Sequence, residues 1–156
     1  MAYTLNQFGG INRDLDGASI PADPGNRDYQ EYLAWVAEGN TPAPVPIDDL
    51  KAAKLAQIEA DRDAACVATV NVIGHPWQAD ARSQSLLSSS ILLAQAGVYT
   101  PSVWRDESNV DVAVTLADLV LIAGVMAAQT QAAYAASWAR KAALAAATTA
   151  EQVAAC

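Results

Sequence analysis

The longest helical pattern in the chain lies near its C-terminus, and it decides most of what the chain can fold into. Thr115 and Asp118 stand at the spacing of a capping box, in which each side chain accepts a hydrogen bond from the other residue's backbone N–H. A helix of about thirty residues is therefore predicted to follow, ending near Ala147. Apolar or small residues recur along it at steps of 3, 4 or 7, at Leu116, Leu119, Ala123, Met126, Thr130, Ala133, Ser137 and Leu144.

This repeat indicates that the long helix packs against another helix, of the same chain or of another. Many of its side chains are small and two are hydroxylic, whereas a self-sufficient coiled coil normally has larger residues at its core positions. We therefore expect it to pack mainly against helices of its own chain. The most apolar run, residues 119–128, is shorter than the roughly 18 residues of a membrane span, so we expect a buried helical segment and no membrane insertion.

The charge balance excludes one large class of partner. The chain has 156 residues, with 9 Lys and Arg against 17 Asp and Glu, a formal net charge of −8. Nucleic-acid binding needs clustered cations, so no nucleic-acid partner is expected. Cys66 and Cys156 have no metal-site or redox spacing, and we expect two free thiols in a reducing compartment.

The first 40 residues are predicted to form a small arm, a short hairpin followed by a helix. Asp16-Gly17 between Ile11 and Ile20 is typical of a tight hairpin turn. Asn26 is a suitable helix cap, and Gly39 is a suitable helix end. Tyr29, Tyr32, Leu33 and Val36 recur on one face of this helix, with Trp35 beside them. Because so small an arm buries little surface, its apolar face is expected to dock on another chain.

Residues 41–47 are predicted to be a linker, and residues 48–156 a helical body domain. Proline at alternate positions from Pro42 to Pro46 favours an extended spacer. In the body, alternation around Val70–Val72 and Val110–Val114, each with nearby turn residues, predicts two short hairpins. Helices are predicted from Asp49 to about Ala68, from Asp80 or Ala81 to Gly97, and from Thr149. The fold class is thus mainly α (α+β): a helical body with two short β-hairpins, preceded by the hairpin-plus-helix arm.

Two segments resemble small tail-fibre and tail-fibre-assembly proteins of tailed bacteriophages. The first covers residues 16–46, where the hairpin is followed by the Tyr/Trp helix and by Gly39-Asn40-Thr41-Pro42. The second is the order of features in the body, which resembles an uncharacterised C-terminal domain of such proteins. Its features are Trp77-x-Ala79-Asp80-x-x-Ser83, the second Trp hairpin at residues 104–114, Thr115-Leu116-x-Asp118-Leu119, and a final Thr149-x-Glu151-Gln152-Val153.

The resemblance implies a non-enzymatic tail protein, either a tail-fibre component or a chaperone of tail-fibre assembly. Its expected partners are fibre or baseplate proteins, with a homo-oligomer as a further alternative. It is expected in the virion tail, and in the host cytoplasm during assembly. We take Tyr29, Tyr32 and Trp35 as candidate partner-binding residues, while Trp77 and Trp104 are expected to fill the core of the body.

The alternative from another class is a small phage-encoded hydrolase that acts on the host cell wall. It would require His75, the only histidine, to converge with aspartates and with a nucleophile such as Ser83 or Ser85. Asp80 would then orient the histidine, but no nucleophile-elbow motif is present. Asp61 and Asp63 point to different sides of a helix, and the Asp14-x-Asp16-Gly17 stretch lacks the downstream glutamate of a calcium loop. We therefore expect no catalytic residues, no metal and no cofactor.

Overall fold

The structure, a computed structural model, describes residues 2–156. It confirms the expected mainly α (α+β) class, with a helical body and short antiparallel strand pairs. The strands are β1 (Tyr3–Leu5), β2 (Ile11–Arg13), β3 (Ala18–Ile20), β4 (Val70–Val72), β5 (His75–Trp77), β6 (Val103–Arg105) and β7 (Asp111–Ala113). The helices are α1 (Arg27–Ala37), α2 (Ile47–Cys66), α3 (Ala81–Gln95), α4 (Leu116–Ala146) and α5 (Ala150–Ala155).

The chain divides into two compact units. The first contains the residues up to Gln57 together with Lys141–Cys156, and the second is Ile58–Arg140. Helices α2 and α4 contribute residues to both units. The sequence-based division into arm, linker and body places its boundary elsewhere, at residues 41–47, and that boundary stays a prediction.

The first unit is built on a three-stranded antiparallel meander in the order β1-β2-β3. Tyr3, Ile11 and Ile20 form its buried core, one from each strand. The predicted linker continues this sheet, since Ala43 bridges Thr4 in a parallel arrangement. The Ala43 N–H donates to the Tyr3 carbonyl at 2.8 Å, and the Leu5 N–H donates to the Ala43 carbonyl at 2.9 Å. The proline-rich segment is therefore extended, as expected, but it is hydrogen-bonded to the arm.

The core of the second unit lies where its two hairpins meet α3 and α4. Trp77 is buried there and donates its indole Nε1–H to the Val72 carbonyl at 2.9 Å, while Trp104 packs at the margin. The expected core position is confirmed for Trp77, whereas the partly buried Trp104 packs against this core and does not fill it. The buried members are Val70, Val72, Trp77, Ala79, Leu87, Val114, Leu119, Ile122 and Met126.

Side chains at the helix ends explain why α1, α3, α4 and α5 begin where the sequence predicts, whereas α2 begins at Ile47, two residues before the expected Asp49 and within the predicted linker. Asn26 accepts hydrogen bonds from the backbone N–H groups of Asp28 and Tyr29 at the start of α1. Asp80 caps α3 in the same manner. The Thr115–Asp118 and Thr149–Gln152 pairs satisfy the first turns of α4 and α5. Strand β1 was missed by the sequence analysis.

Candidate partner-binding surfaces

The three predicted partner-binding residues lie together in one aromatic cluster of the first unit. Tyr29, Tyr32 and Trp35, all on α1, are half-buried and pack against the core of the meander. The buried Tyr3 ring meets Tyr32 and Trp35 edge-on, with ring centroids 5.2 and 5.0 Å apart. Tyr29 stacks on Tyr32 at 5.7 Å. The expectation that the arm leaves this face to another chain was therefore wrong in part, because β1 supplies a surface for it.

Ion pairs from Arg13, which lies on the same face of β2 as Ile11, also connect the sheet to α1. The Arg13 guanidinium donates to both carboxylate oxygens of Asp16, at 3.0 and 2.8 Å, and this contact lowers the pKa of Asp16. The same guanidinium lies 3.7 Å from Asp28 and 3.9 Å from Glu31, which are both on α1. One cation on the sheet thus holds the helix that carries the aromatic residues.

The turn between β1 and β2 displays Phe8, the single phenylalanine of the chain, with 87% of its surface exposed. Asn6 orders this turn, since its Oδ1 accepts from the Phe8 and Gly10 N–H groups at 3.1 and 3.0 Å. At Gly10 a Cβ would come within 2.6 Å of the Ile20 carbonyl oxygen, so only glycine fits. Phe8 is therefore held out on an ordered turn. The sequence analysis did not single it out.

His75 contacts the carboxylate of Asp106, and this pair connects the two hairpins of the second unit. His75 Nδ1 lies 3.1 Å from Asp106 Oδ2, and Asp106 is only 4% exposed. Asp106 also accepts from the Val110 N–H at 2.9 Å, and this bond is the main reason that its pKa is lowered. The adjacent Glu107 N–H donates to the Pro76 carbonyl at 2.9 Å. These contacts tie the β6–β7 turn to the β4–β5 hairpin.

Of the remaining catalytic candidates, Ser83, Asp61 and Asp63 each have a separate structural partner, and Ser85 is exposed on α3. Ser83 Oγ donates to Asp80 Oδ2 at 2.6 Å within the cap of α3. Asp61 pairs with Arg140, and Asp63 pairs with its neighbour Arg62. Within residues 2–156, no group of three or more His, Cys, Asp or Glu side chains could hold a metal ion. Cys66 and Cys156, both in this range, are not joined in a disulfide.

A second exposed apolar surface lies on the part of α4 that belongs to the second unit. The inward face of this segment carries Leu119 and Met126, as the sequence repeat predicts, and also Ile122, which the repeat did not include. Trp138 points away from that core with 65% of its surface exposed. By length and composition, α4 is the one helix among residues 2–156 that could cross a membrane. The sequence analysis predicted only the inward-facing repeat of α4 and made no prediction for its exposed face.

A family match covers most of the chain. Residues 49–155 match the family described as Domain of unknown function (DUF4376), and the chain belongs to this family. The matched region begins just after the proline-rich segment. No curated relative matches the chain. No solved structure matches it either.

Proposed function

We propose that this protein is a non-enzymatic member of a bacteriophage tail-fibre system, acting as a fibre component or as a chaperone of fibre assembly. The proposal rests on the order of motifs described above, which resembles that of small tail-fibre and fibre-assembly proteins. One structural observation supports it most: the arm displays Phe8 on a hydrogen-bonded turn, beside a sheet and helix that pack against each other. A fully exposed aromatic residue on a rigid turn is suited to be an anchor in a pocket of another protein.

The rest of the arm fits a protein-binding role. Tyr29, Tyr32 and Trp35 are half-buried, so each keeps part of a ring accessible while the sheet holds it in place. Rigid aromatic residues lose little conformational entropy on binding, which is why they are common in hot spots. Leu33, on the same helix, is also exposed. The proposed partner is a fibre or baseplate protein, met in the host cytoplasm during assembly and kept in the virion tail if this chain is a component.

A cell-wall hydrolase is the competing function, and the contact between His75 and Asp106 is the observation in its favour. This pair has a structural explanation, since Asp106 also orders its own turn through Val110 and the turn is bonded to Pro76. Ser83 is engaged with Asp80 in a helix cap. Replacement of His75 by Ala distinguishes the two functions. Loss of infectivity with assembly intact would favour the hydrolase, whereas the tail-fibre proposal expects normal infectivity once the protein is folded.

The binding surface is tested by pull-down of the fibre chain of the same phage with variants of this protein. Phe8→Ala removes the exposed ring and leaves the core of the arm intact, so binding should weaken by about tenfold or more while the melting temperature stays constant. Leu15→Ala is the matched control, because Leu15 is 76% exposed on the other turn of the meander. If the Phe8→Ala variant binds as tightly as the native chain, Phe8 is not part of the binding surface.

Mass spectrometry of purified virions separates the two roles. A stoichiometric signal identifies a virion component, whereas absence from virions together with co-purification from infected cells identifies a transient chaperone. Absence from both samples would contradict the proposal as a whole.

A further inference from the structure

The outer face of α4 in the second unit is largely apolar, with Gln131 as an exposed polar side chain on one flank. Between Asp118 and Arg140 the helix has 21 residues without a charged side chain. At 1.5 Å per residue this segment is about 31 Å long. A stripe with alternating steps of 4 and 3 runs along its solvent side, and all its members are exposed: Leu121, Val125, Ala128, Ala132, Ala135 and Ala139. A helix face that stays in water normally carries charged and polar residues, so this face is suited to be covered.

We propose that a second copy of this chain covers this face, with two α4 helices packed antiparallel about a two-fold axis near residue 130. The stripe is complementary to itself in that register. Leu121 of one copy faces Ala139 of the other, Val125 faces Ala135, and Ala128 faces Ala132. The larger side chains at one end thus meet the smallest ones at the other end. The helices can approach closely, near the 8 Å lower end of the usual interaxial range.

A parallel arrangement would lack this complementarity. In parallel helices Leu121 would face Leu121 of the second copy, and each alanine would face the same alanine. The two leucines would hold the helices apart at one end, and the small alanines would leave a gap at the other. Unfilled gaps lose the dispersion contacts of the side chains that line them. Antiparallel helices also bring opposite ends of their macrodipoles together. The distribution of residue sizes and the dipoles therefore favour the same orientation.

The flanks of the stripe agree with the antiparallel register. The two-fold axis is perpendicular to the helices. The residues on one side of the stripe therefore lie beside the same residues of the second copy, in reversed order along the helix. Asp118, the cap residue of α4, then lies near the level of the Arg140–Asp61 ion pair of the second copy, so the two like-charged ends of the helices are kept apart. On the other flank, the exposed Trp138 lies at the level between Val120 and Gly124 of the second copy. Gly124 has open space above it, with no atom within 4 Å of a Cβ built there, so the Trp138 ring has room.

The exposed area is adequate for a stable pair. Besides the alanines, the face and its flanks expose Val120, Leu121, Val125 and Trp138. Together they offer on the order of several hundred Å² per copy, which approaches the roughly 800 Å² per partner of a standard interface. A two-fold pair of this kind is isologous and closed, so it ends at two copies.

A lipid bilayer is the competing occupant, since α4 has the length of a membrane span. Insertion would remove Leu119, Ile122 and Met126 from the core that they share with Trp77. Lying on a membrane surface is disfavoured as well, because such helices usually carry Lys and Arg on their polar face and this chain has a net charge of −8. The residues of α4 thus favour a second copy of the chain over a lipid bilayer as the partner of the outer face.

Sedimentation equilibrium of the full chain tests the proposal directly. The native protein should have twice the monomer mass of 16.3 kDa. Ala128→Glu places a charge in the middle layer and should weaken the dimer by roughly a hundredfold or more, because an unpaired charge would be buried. Ala60→Glu is the matched control: it makes the same change at an exposed alanine of α2 in the same unit and should leave the dimer intact. Circular dichroism verifies that both variants are folded.

Disulfide trapping tests the register in a background with Cys66→Ser and Cys156→Ser. A mixture of Val125→Cys and Ala135→Cys proteins should cross-link as a heterodimer, while Ala135→Cys alone should not. Cross-linking of Ala135→Cys with itself would overturn the antiparallel register. A native chain that is monomeric at all concentrations, or a dimer unaffected by Ala128→Glu, would overturn the proposal. Binding of such a monomer to phosphatidylcholine vesicles would assign the face to a membrane instead. None of these outcomes depends on fibre binding through the arm.

Discussion

Replacement of Trp35 by Ala separates two roles that the sequence could not tell apart. The sequence predicted an intermolecular anchor that contributes little to folding. In the structure the Trp35 ring is half-buried and lies edge-on to Tyr3, with centroids 5.0 Å apart. Its backbone carbonyl also accepts from the Asn40 side chain at 2.8 Å, just beyond the end of α1. The substitution should therefore destabilise the first unit in addition to any effect on binding.

The magnitude follows from burial and ring geometry. Truncation of a fully buried Trp to Ala costs about 3–5 kcal/mol, and the half-buried Trp35 should lose roughly half of that. The edge-on contact with Tyr3 adds about 0.5–1.5 kcal/mol. We expect the free energy of unfolding of the first unit to fall by about 2–4 kcal/mol. The Asn40 hydrogen bond is retained because it involves the backbone.

Hydrogen exchange measured by mass spectrometry reports this loss locally. Exchange should speed up in β1, β2 and α1 of the Trp35→Ala protein and stay constant in the core around Trp77. Phe8→Ala is the control, since a residue that is 87% exposed should change stability by less than about 0.5 kcal/mol. Unchanged exchange in the arm of Trp35→Ala, together with lost binding of the fibre chain, would refute this reasoning and leave Trp35 as a pure anchor.

Three further predictions concern the body. Trp77→Phe should lower the free energy of unfolding by about 2–3 kcal/mol in denaturant melts, because it removes buried volume and the donor to the Val72 carbonyl; a change below 0.5 kcal/mol would contradict the assigned core. Since the pKa of Asp106 is lowered in the folded state, its carboxylate stabilises the fold above the unfolded value of about 3.9 and loses this effect as pH falls through the folded value. Asp106→Asn should therefore flatten the decline of melting temperature below about pH 4, and an unaltered acid profile would speak against it. Removal of residues 1–46 should leave a cooperative thermal transition for the core around Trp77; a broad, non-cooperative one would show that the predicted arm belongs to that core.

Local sequence was sufficient to place most of the helices. The caps at Asn26, Asp80, Thr115 and Thr149 act within three residues of themselves, so their chemistry can be recognised without any knowledge of the fold. The repeat in α4 likewise predicted its inward face, because helical periodicity alone decides which residues share a side.

Strand β1 and the contact between His75 and Asp106 required the tertiary structure. Tyr3–Leu5 is too short to show alternation, and it is a strand only because Ile11–Arg13 pairs with it. His75 and Asp106 are 31 positions apart and meet because two hairpins are bonded to each other. The tertiary structure was also needed to distinguish the roles of Trp35 and Trp138. Composition makes both equally suitable for a core or an interface, and burial depends on what packs beside a residue. Strand β1 covers much of Trp35, while Trp138 contacts the Tyr134 ring and stays 65% exposed.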